Sequence, residues 1–153
     1  IHEKSVFQRG WPQIPLSWKN SDVNSKISNL RKLRIEINKV IEVCRNNEKI
    51  GAALETEIIF LPKNNEVKNT LTWLKEKGDH NVDSYSDWLI VSNFRIVDEL
   101  LNESLSTENN EYGSVQVIKA KGFKCDRCWH YQENVTPGFE DTKLCLRCAE
   151  IIN

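Results

Sequence analysis

Two cysteine pairs near the end of the chain, Cys125-x-x-Cys128 and Cys145-x-x-Cys148, constrain this 153-residue sequence more than any other feature. Sixteen residues separate the pairs, within the spacing window of zinc sites. Two thiolates three positions apart on a tight knuckle can face one ion, and two such knuckles complete a tetrahedron. Zn²⁺ imposes no d-electron geometry and accepts four sulfurs. Disulfides or a redox pair are the competing chemistries. Disulfides fit a secreted chain, whereas the opening Ile1-His2-Glu3-Lys4 lacks the charged-then-apolar profile of an export signal, and Cys44 would have no mate. A thioredoxin-type pair needs one C-x-x-C at a helix start, not two copies. The expectation is a structural zinc on Cys125, Cys128, Cys145 and Cys148. Four sulfurs leave no open position for catalysis.

Gly122 marks a boundary. The thirty or so residues after it cannot bury enough apolar surface to fold alone, so the metal has to supply much of their stability. They read as a zinc ribbon, two knuckles on short hairpins with Ala149-Glu150-Ile151-Ile152 as a closing turn.

Upstream, residues 1–22 hold Trp11, Pro12, Pro15 and Trp18 without periodicity, an extended lead-in whose aromatics are expected to pack on something, a part of a larger parent being one option. From Asp22 to Asn47, Ile27, Leu30, Leu33, Ile37, Val40, Ile41 and Cys44 recur at helical spacing, with Ser21, Asp22 or Ser25 as N-cap. Cys44 lies on the apolar side and reads as a small core residue. Arg31, Arg34, Asn38 and Arg45 share a flank. That flank is a solvated face with Glu42 offsetting some charge, or, less favoured, a phosphate-contacting ridge. Gly51 ends the helix, Glu55–Leu61 reads as a strand closed by Pro62, and Asn64–Lys77 as a helix stopped by Gly78. Asp87–Val97 looks like an inner strand, Glu103–Gly113 a polar loop, and Ser114–Ala120 a strand with Val115 and Val117 on one face. The fold class is therefore α+β: a long helix followed by a small mixed strand/helix unit, then a four-cysteine zinc ribbon.

Hydrophobic residues at 39 % and charged residues at 28 % describe a globular chain, and no run of eighteen apolar residues permits a transmembrane helix. Methionine is absent, so the chain is expected to be cut from a larger protein. No phosphate-cradling glycine loop, nucleophile elbow or H-E-x-x-H occurs, and His2, His80 and His130 are scattered. The piece by itself is not expected to be an enzyme.

The first knuckle, Lys124-Cys125-Asp126-Arg127-Cys128-Trp129-His130-Tyr131, interleaves basic and aromatic residues, and Lys143 and Arg147 add charge from the second. Exposed aromatics stack on splayed bases, and Arg stacks or hydrogen-bonds to them. Equally, Trp129 or Tyr131 can simply cover the metal. Net charge is −1, and from residue 119 onward six basic residues face five acidic ones, Asp126, Glu133, Glu140, Asp141 and Glu150. The electrostatic footprint is weak, and the two readings stay level.

KCDRCWHY followed sixteen residues on by CLRCAE resembles the carboxy-terminal zinc finger of bacterial isoleucyl-tRNA synthetase. SNLRKLRIEINKVIEVCRNNEKIGAALETEIIF is similar to that family's helix carrying R-x-E-x-N-K and E-x-x-R, which runs into I-G-x-x-L-E-A and a strand. EKSVFQRGW resembles the stretch ahead of it. Thr56 and Cys44 stand where the family usually has Ala. The resemblance implies a cytoplasmic, monomeric class I synthetase that joins isoleucine to its tRNA with ATP, its catalytic and editing parts lying upstream. Residues 1–50 would end the helical anticodon-binding region, 51–121 form a junction domain and 122–153 the zinc domain. The partner implied is the anticodon stem-loop of tRNA(Ile). Zinc maps onto Cys125, Cys128, Cys145 and Cys148, and base contact onto Arg127 and Trp129, with His130, Lys143, Arg147, Arg31 and Arg34 as further RNA-binding candidates. A formamidopyrimidine-type DNA glycosylase finger, and a zinc ribbon for protein contact, are the alternatives.

Overall fold

The computed structural model describes residues 5, 7, 10–77, 84–137 and 142–152, so the expectations placed on His2, Gly78, His80, Glu140 and Asp141 lie outside the described residues. Helix α1 spans Ser21–Asn46. Its N-cap is Asn20, whose extended backbone lets the side chain accept the Val23 N–H at 3.1 Å. None of the three expected caps serves, and Asp22 instead pairs with Lys26 at 2.7 Å inside the first turn. Leu30, Leu33, Ile37, Val40, Ile41 and Cys44 are buried on one stripe, as the periodicity requires. Each full burial of a Leu or Ile contributes about 1.5–3 kcal/mol, so the stripe rather than helix propensity holds α1 in place. The helix stops where Lys49 N–H reaches the Cys44 carbonyl and Glu48 N–H the Arg45 carbonyl, both at 3.0 Å, with Glu48 at φ 57° in the left-handed region.

The Glu55 carboxylate then accepts the N–H groups of Gly51 and Ala52 at 3.1 and 3.2 Å, turning the chain into β1, Thr56–Pro62. Helix α2, Asn65–Lys77, is capped by Asn64, which accepts the Val67 N–H at 3.0 Å. The segment read as one strand from Asp87 divides: α3 is Ser84–Leu89 and β2 only Asn93–Ile96. Tyr85 and Leu89, four apart, are both buried, and Ile90 at φ 60° turns the chain between the two elements. A short apolar run does not distinguish helix from strand by periodicity. The expected polar loop also holds a strand, β3, Ser106–Asn109. It pairs through backbone groups at the sheet edge, so its side chains can be polar.

Strand β4, Gly113–Lys119, completes a four-stranded sheet ordered β2-β1-β4-β3. β1 runs parallel to β2 (Ile58 opposite Phe94) and antiparallel to β4 (Phe60 opposite Val115). Ile58, Phe60, Phe94, Val115 and Val117 face the three helices and close the core with the α1 stripe. On the opposite face Gln116 holds the Leu101 N–H and carbonyl at 2.8 and 2.9 Å, and Arg95 pairs with the buried Glu57. Gly113 is required: φ is +154°, and a Cβ would stand 2.2 Å from the Leu61 carbonyl oxygen. Ahead of α1, Leu16–Trp18 forms a 3-10 turn, and Trp11 and Trp18 are largely exposed.

Two miniature sheets follow, β5 (Phe123–Lys124) with β6 (Tyr131–Gln132), and β7 (Thr136–Pro137) with β8 (Lys143–Leu144). The closing turn is a short helix, α4, Leu146–Ile152. Gly122, at φ +88°, packs so closely that a Cβ would lie 2.3 Å from the Gln132 carbonyl. No helix among the described residues is long and apolar enough to cross a membrane.

Candidate metal centre and nucleic-acid face

Cys125 and Cys128 flank the turn after β5, whereas Cys145 and Cys148 open α4. The first knuckle closes with Cys125 N–H donating to the His130 carbonyl and Trp129 N–H to the Cys125 carbonyl, both at 2.9 Å. The two knuckles are cross-tied by Asp126, which receives the Lys143 N–H on its carboxylate at 2.7 Å while its own N–H meets the Lys143 carbonyl at 2.8 Å. These ties bring all four Sγ atoms within 4.8 Å of one another. Cys128 Sγ and Cys145 Sγ stand 3.7 Å apart. Four sulfurs about 2.3 Å from a central Zn²⁺ form a tetrahedron of edge about 3.8 Å, whereas a disulfide needs about 2.05 Å. All five cysteines are free thiols. The donor set and its spacing fit one structural zinc.

Burial opposes the charged thiolate at each position. At Cys125 the backbone N–H groups of Cys128, Cys145 and Arg127 outweigh it and bring the thiol down to about 6. At Cys128, Cys145 and Cys148 burial dominates and pushes the thiols up. To ionise all four thiols in one small space would require a cation, which is the charge a divalent metal supplies. Around them, among the described residues, only Leu144 is a fully buried non-cysteine, with Val135 and Ala149 half-buried against the cluster.

Neither Trp129 nor Tyr131 belongs to that apolar lining, so the metal-covering role open in the sequence is not theirs. Trp129 is 59 % exposed, with the Lys124 ammonium 5.3 Å from its ring centroid. Its φ is 66°, a conformation that a bulky side chain rarely adopts. Arg127 is exposed two residues before it, and Lys143 is exposed on the second knuckle. His130 is half-buried and lines a cleft between the ribbon and the sheet. Arg147 sits in the same cleft, 3.6 Å from the Asp87 carboxylate of α3. Arg31 and Arg34 lie far back on α1, where Arg34 stacks on Trp88 at 6.0 Å and Arg45 pairs with Glu42 at 2.6 Å. The structure thus gathers Arg127, Trp129 and Lys143 on the ribbon surface and leaves the α1 arginines on another element. Lys124 was not singled out as a contact. Its position five residues before Trp129 across the knuckle was the available signal.

The chain is 60 % identical over 151 residues to the isoleucine–tRNA ligase of Prochlorococcus marinus strain MIT 9515 and 61 % to that of strain MIT 9312, covering 99 % of this chain. The chain matches the C-terminal segment of the isoleucine–tRNA ligases. It spans 16 % of the length of these relatives. The enzyme of strain NATL2A retains 44 % identity over 152 residues. No protein-family profile matches the chain. The identity to these ligases runs through the long helix and the sheet as well as the ribbon. This extent favours a ligase segment over an isolated ribbon of another class.

Proposed function

We propose that this chain is the tRNA-binding end of an isoleucine–tRNA ligase. In this reading the zinc ribbon meets the anticodon stem-loop of tRNA(Ile), and the tRNA is thereby oriented for ATP-dependent aminoacylation by a catalytic part of the parent outside this chain. Cys125, Cys128, Cys145 and Cys148 hold one structural zinc, and residues 1–50, 51–121 and 122–153 act as helical, junction and zinc domains. Arg127 and Trp129 contact bases. Lys143 and His130 add backbone contacts, and Arg31 and Arg34 offer a more distant phosphate ridge. The parent works as a cytoplasmic monomer.

Trp129 carries the reading. A large ring left exposed beside the Lys124 ammonium, on a backbone conformation suited to glycine, costs the ribbon of order 1–3 kcal/mol of strain. Stacking on an unpaired base uses both the exposure and the flanking charge, and is worth about 1–3 kcal/mol per base.

Titrating the zinc-loaded chain with an isoleucine tRNA and a non-cognate tRNA over a salt series tests this. Trp129→Gly is the discriminating variant. It is expected to keep or raise ribbon stability, because glycine relieves the left-handed strain, while weakening tRNA binding by about 5- to 150-fold. Arg127→Ala should weaken binding and flatten its salt dependence. Unchanged tRNA affinity in both variants, with metal still bound, would overturn the assignment of these contacts.

A further inference from the structure

Gly122 offers a hinge, yet two contacts bind the ribbon to the α+β unit across it. Ser92, buried between α3 and β2, donates its hydroxyl proton to the Leu54 carbonyl and accepts the Tyr131 N–H of β6 at 2.7 Å. Its own N–H is fixed on the Thr56 carbonyl at 3.0 Å, so the hydroxyl is held at the point where β1 and β2 begin. On the other side of the cleft, which encloses about 800 Å³, Arg147 reaches from α4 to Asp87 of α3 at 3.6 Å. Arg147 lies between the ligand cysteines Cys145 and Cys148, and the neighbouring Cys128 and Cys148 sulfurs, with Asp87, favour its charge. It therefore sits beside the thiol cluster while reaching the α+β unit.

We propose that Ser92 and Arg147 form a two-point seat that holds the ribbon in one orientation on the α+β unit, with Arg147 bridging Asp87 and the metal-bound thiolate cluster. This rests on the zinc reading above. Four thiolates around Zn²⁺ carry a formal charge of −2, and a guanidinium beside them is anchored by that charge while its other edge meets Asp87. A lone half-exposed ion pair stabilises by little, so the seat is effective through the charge of the cluster beside Arg147 and through the Ser92 hydrogen bond. Arg147 is then a positioning residue that aims the Trp129 face, rather than an RNA contact itself. The ribbon is seated and does not swing about Gly122.

The test is the relative alignment of the two units in the zinc-loaded 153-residue chain, read by residual dipolar couplings and amide relaxation. The native chain should fit one alignment tensor. The double variant Ser92→Ala/Asp87→Asn should need two tensors and show faster ribbon tumbling, while its Co²⁺-substituted form keeps the sulfur-to-metal charge-transfer bands of the native site. The conservative pair Ser92→Thr/Asp87→Glu, which keeps hydroxyl and carboxylate, should restore a single tensor. Two tensors in the native chain, or one retained in the alanine/asparagine pair, would overturn the seat. Absence of tetrahedral Co²⁺ bands in the native chain would remove the metal reading instead, whatever the alignment data show.

Discussion

The α+β unit and the ribbon lie side by side in one chain but are held by different physics. Among the described residues, sixteen buried ones from the helices, the sheet and their connections form the first core, with Phe60, Ile58, Ile37 and Val117 at its centre. Among the described residues the ribbon buries four, and three of those are cysteines. A core of aliphatic and aromatic side chains lowers free energy through area removed from water, which needs no ligand. A core of three small thiols and one leucine removes little area from water, so the ribbon's stability is expected to be chiefly the energy of metal binding to its thiolates.

Removing the metal should separate the two regions most sharply. Cys125→Ser, or chelation of the native chain, is expected to forfeit most of the roughly 10–16 kcal/mol that structural zinc supplies to small domains. Ribbon amides would collapse to random-coil shifts while those of the sheet keep their dispersion. One cooperative transition for the whole chain would instead merge the two regions into a single folding unit.

Phe60→Ala makes the complementary break. Phe60 is fully buried and tilts against Phe94 with ring centroids 5.9 Å apart. Its truncation is expected to cost about 3–5 kcal/mol in urea titrations of the α+β unit. Ribbon metal content at low denaturant should stay at one ion per chain.

A smaller effect separates the buried thiol of α1 from those of the ribbon. Burial pushes the Cys44 thiol up, and the Lys49 ammonium only partly draws it back. A group whose folded pKa is raised stabilises fully below its unfolded value, about 8.5, and loses that contribution as pH rises through the folded value. The urea midpoint of the α+β unit should therefore fall as pH rises above about 8.5, and Cys44→Ala should flatten that part of the profile. Cys44 should also resist alkylation in the native state.

The smallest expected change sharpens the comparison from within α1. Glu48 occupies the left-handed position that ends the helix, a place for glycine. Glu48→Gly should raise the stability of the α+β unit by up to about 1 kcal/mol and leave the ribbon untouched. Glu48 and Trp129 share the same backbone conformation but differ in consequence. Relief of strain at Glu48 is expected to cost no binding, whereas relief at Trp129 is expected to abolish a contact.

Local chemistry wrote itself plainly into the sequence. The stripe from Leu30 to Cys44 forces a helix because a 3.6-residue period leaves one apolar face, and C-x-x-C spacing brings thiols together because a tight knuckle has few other conformations. Val115 and Val117 alternate because a strand has period two. Only the fold could decide the remainder. The stretch after Asp87 became helix then strand because its apolar residues had two partners to satisfy, the α1 stripe and the sheet, and β3 was recruited by an open edge that its own polar residues do not announce. The same holds for Arg147. Its charge is legible at once, yet its place between Asp87 and the cysteines depends on a residue far earlier in the chain, because long-range electrostatic partners are set by packing and not by spacing.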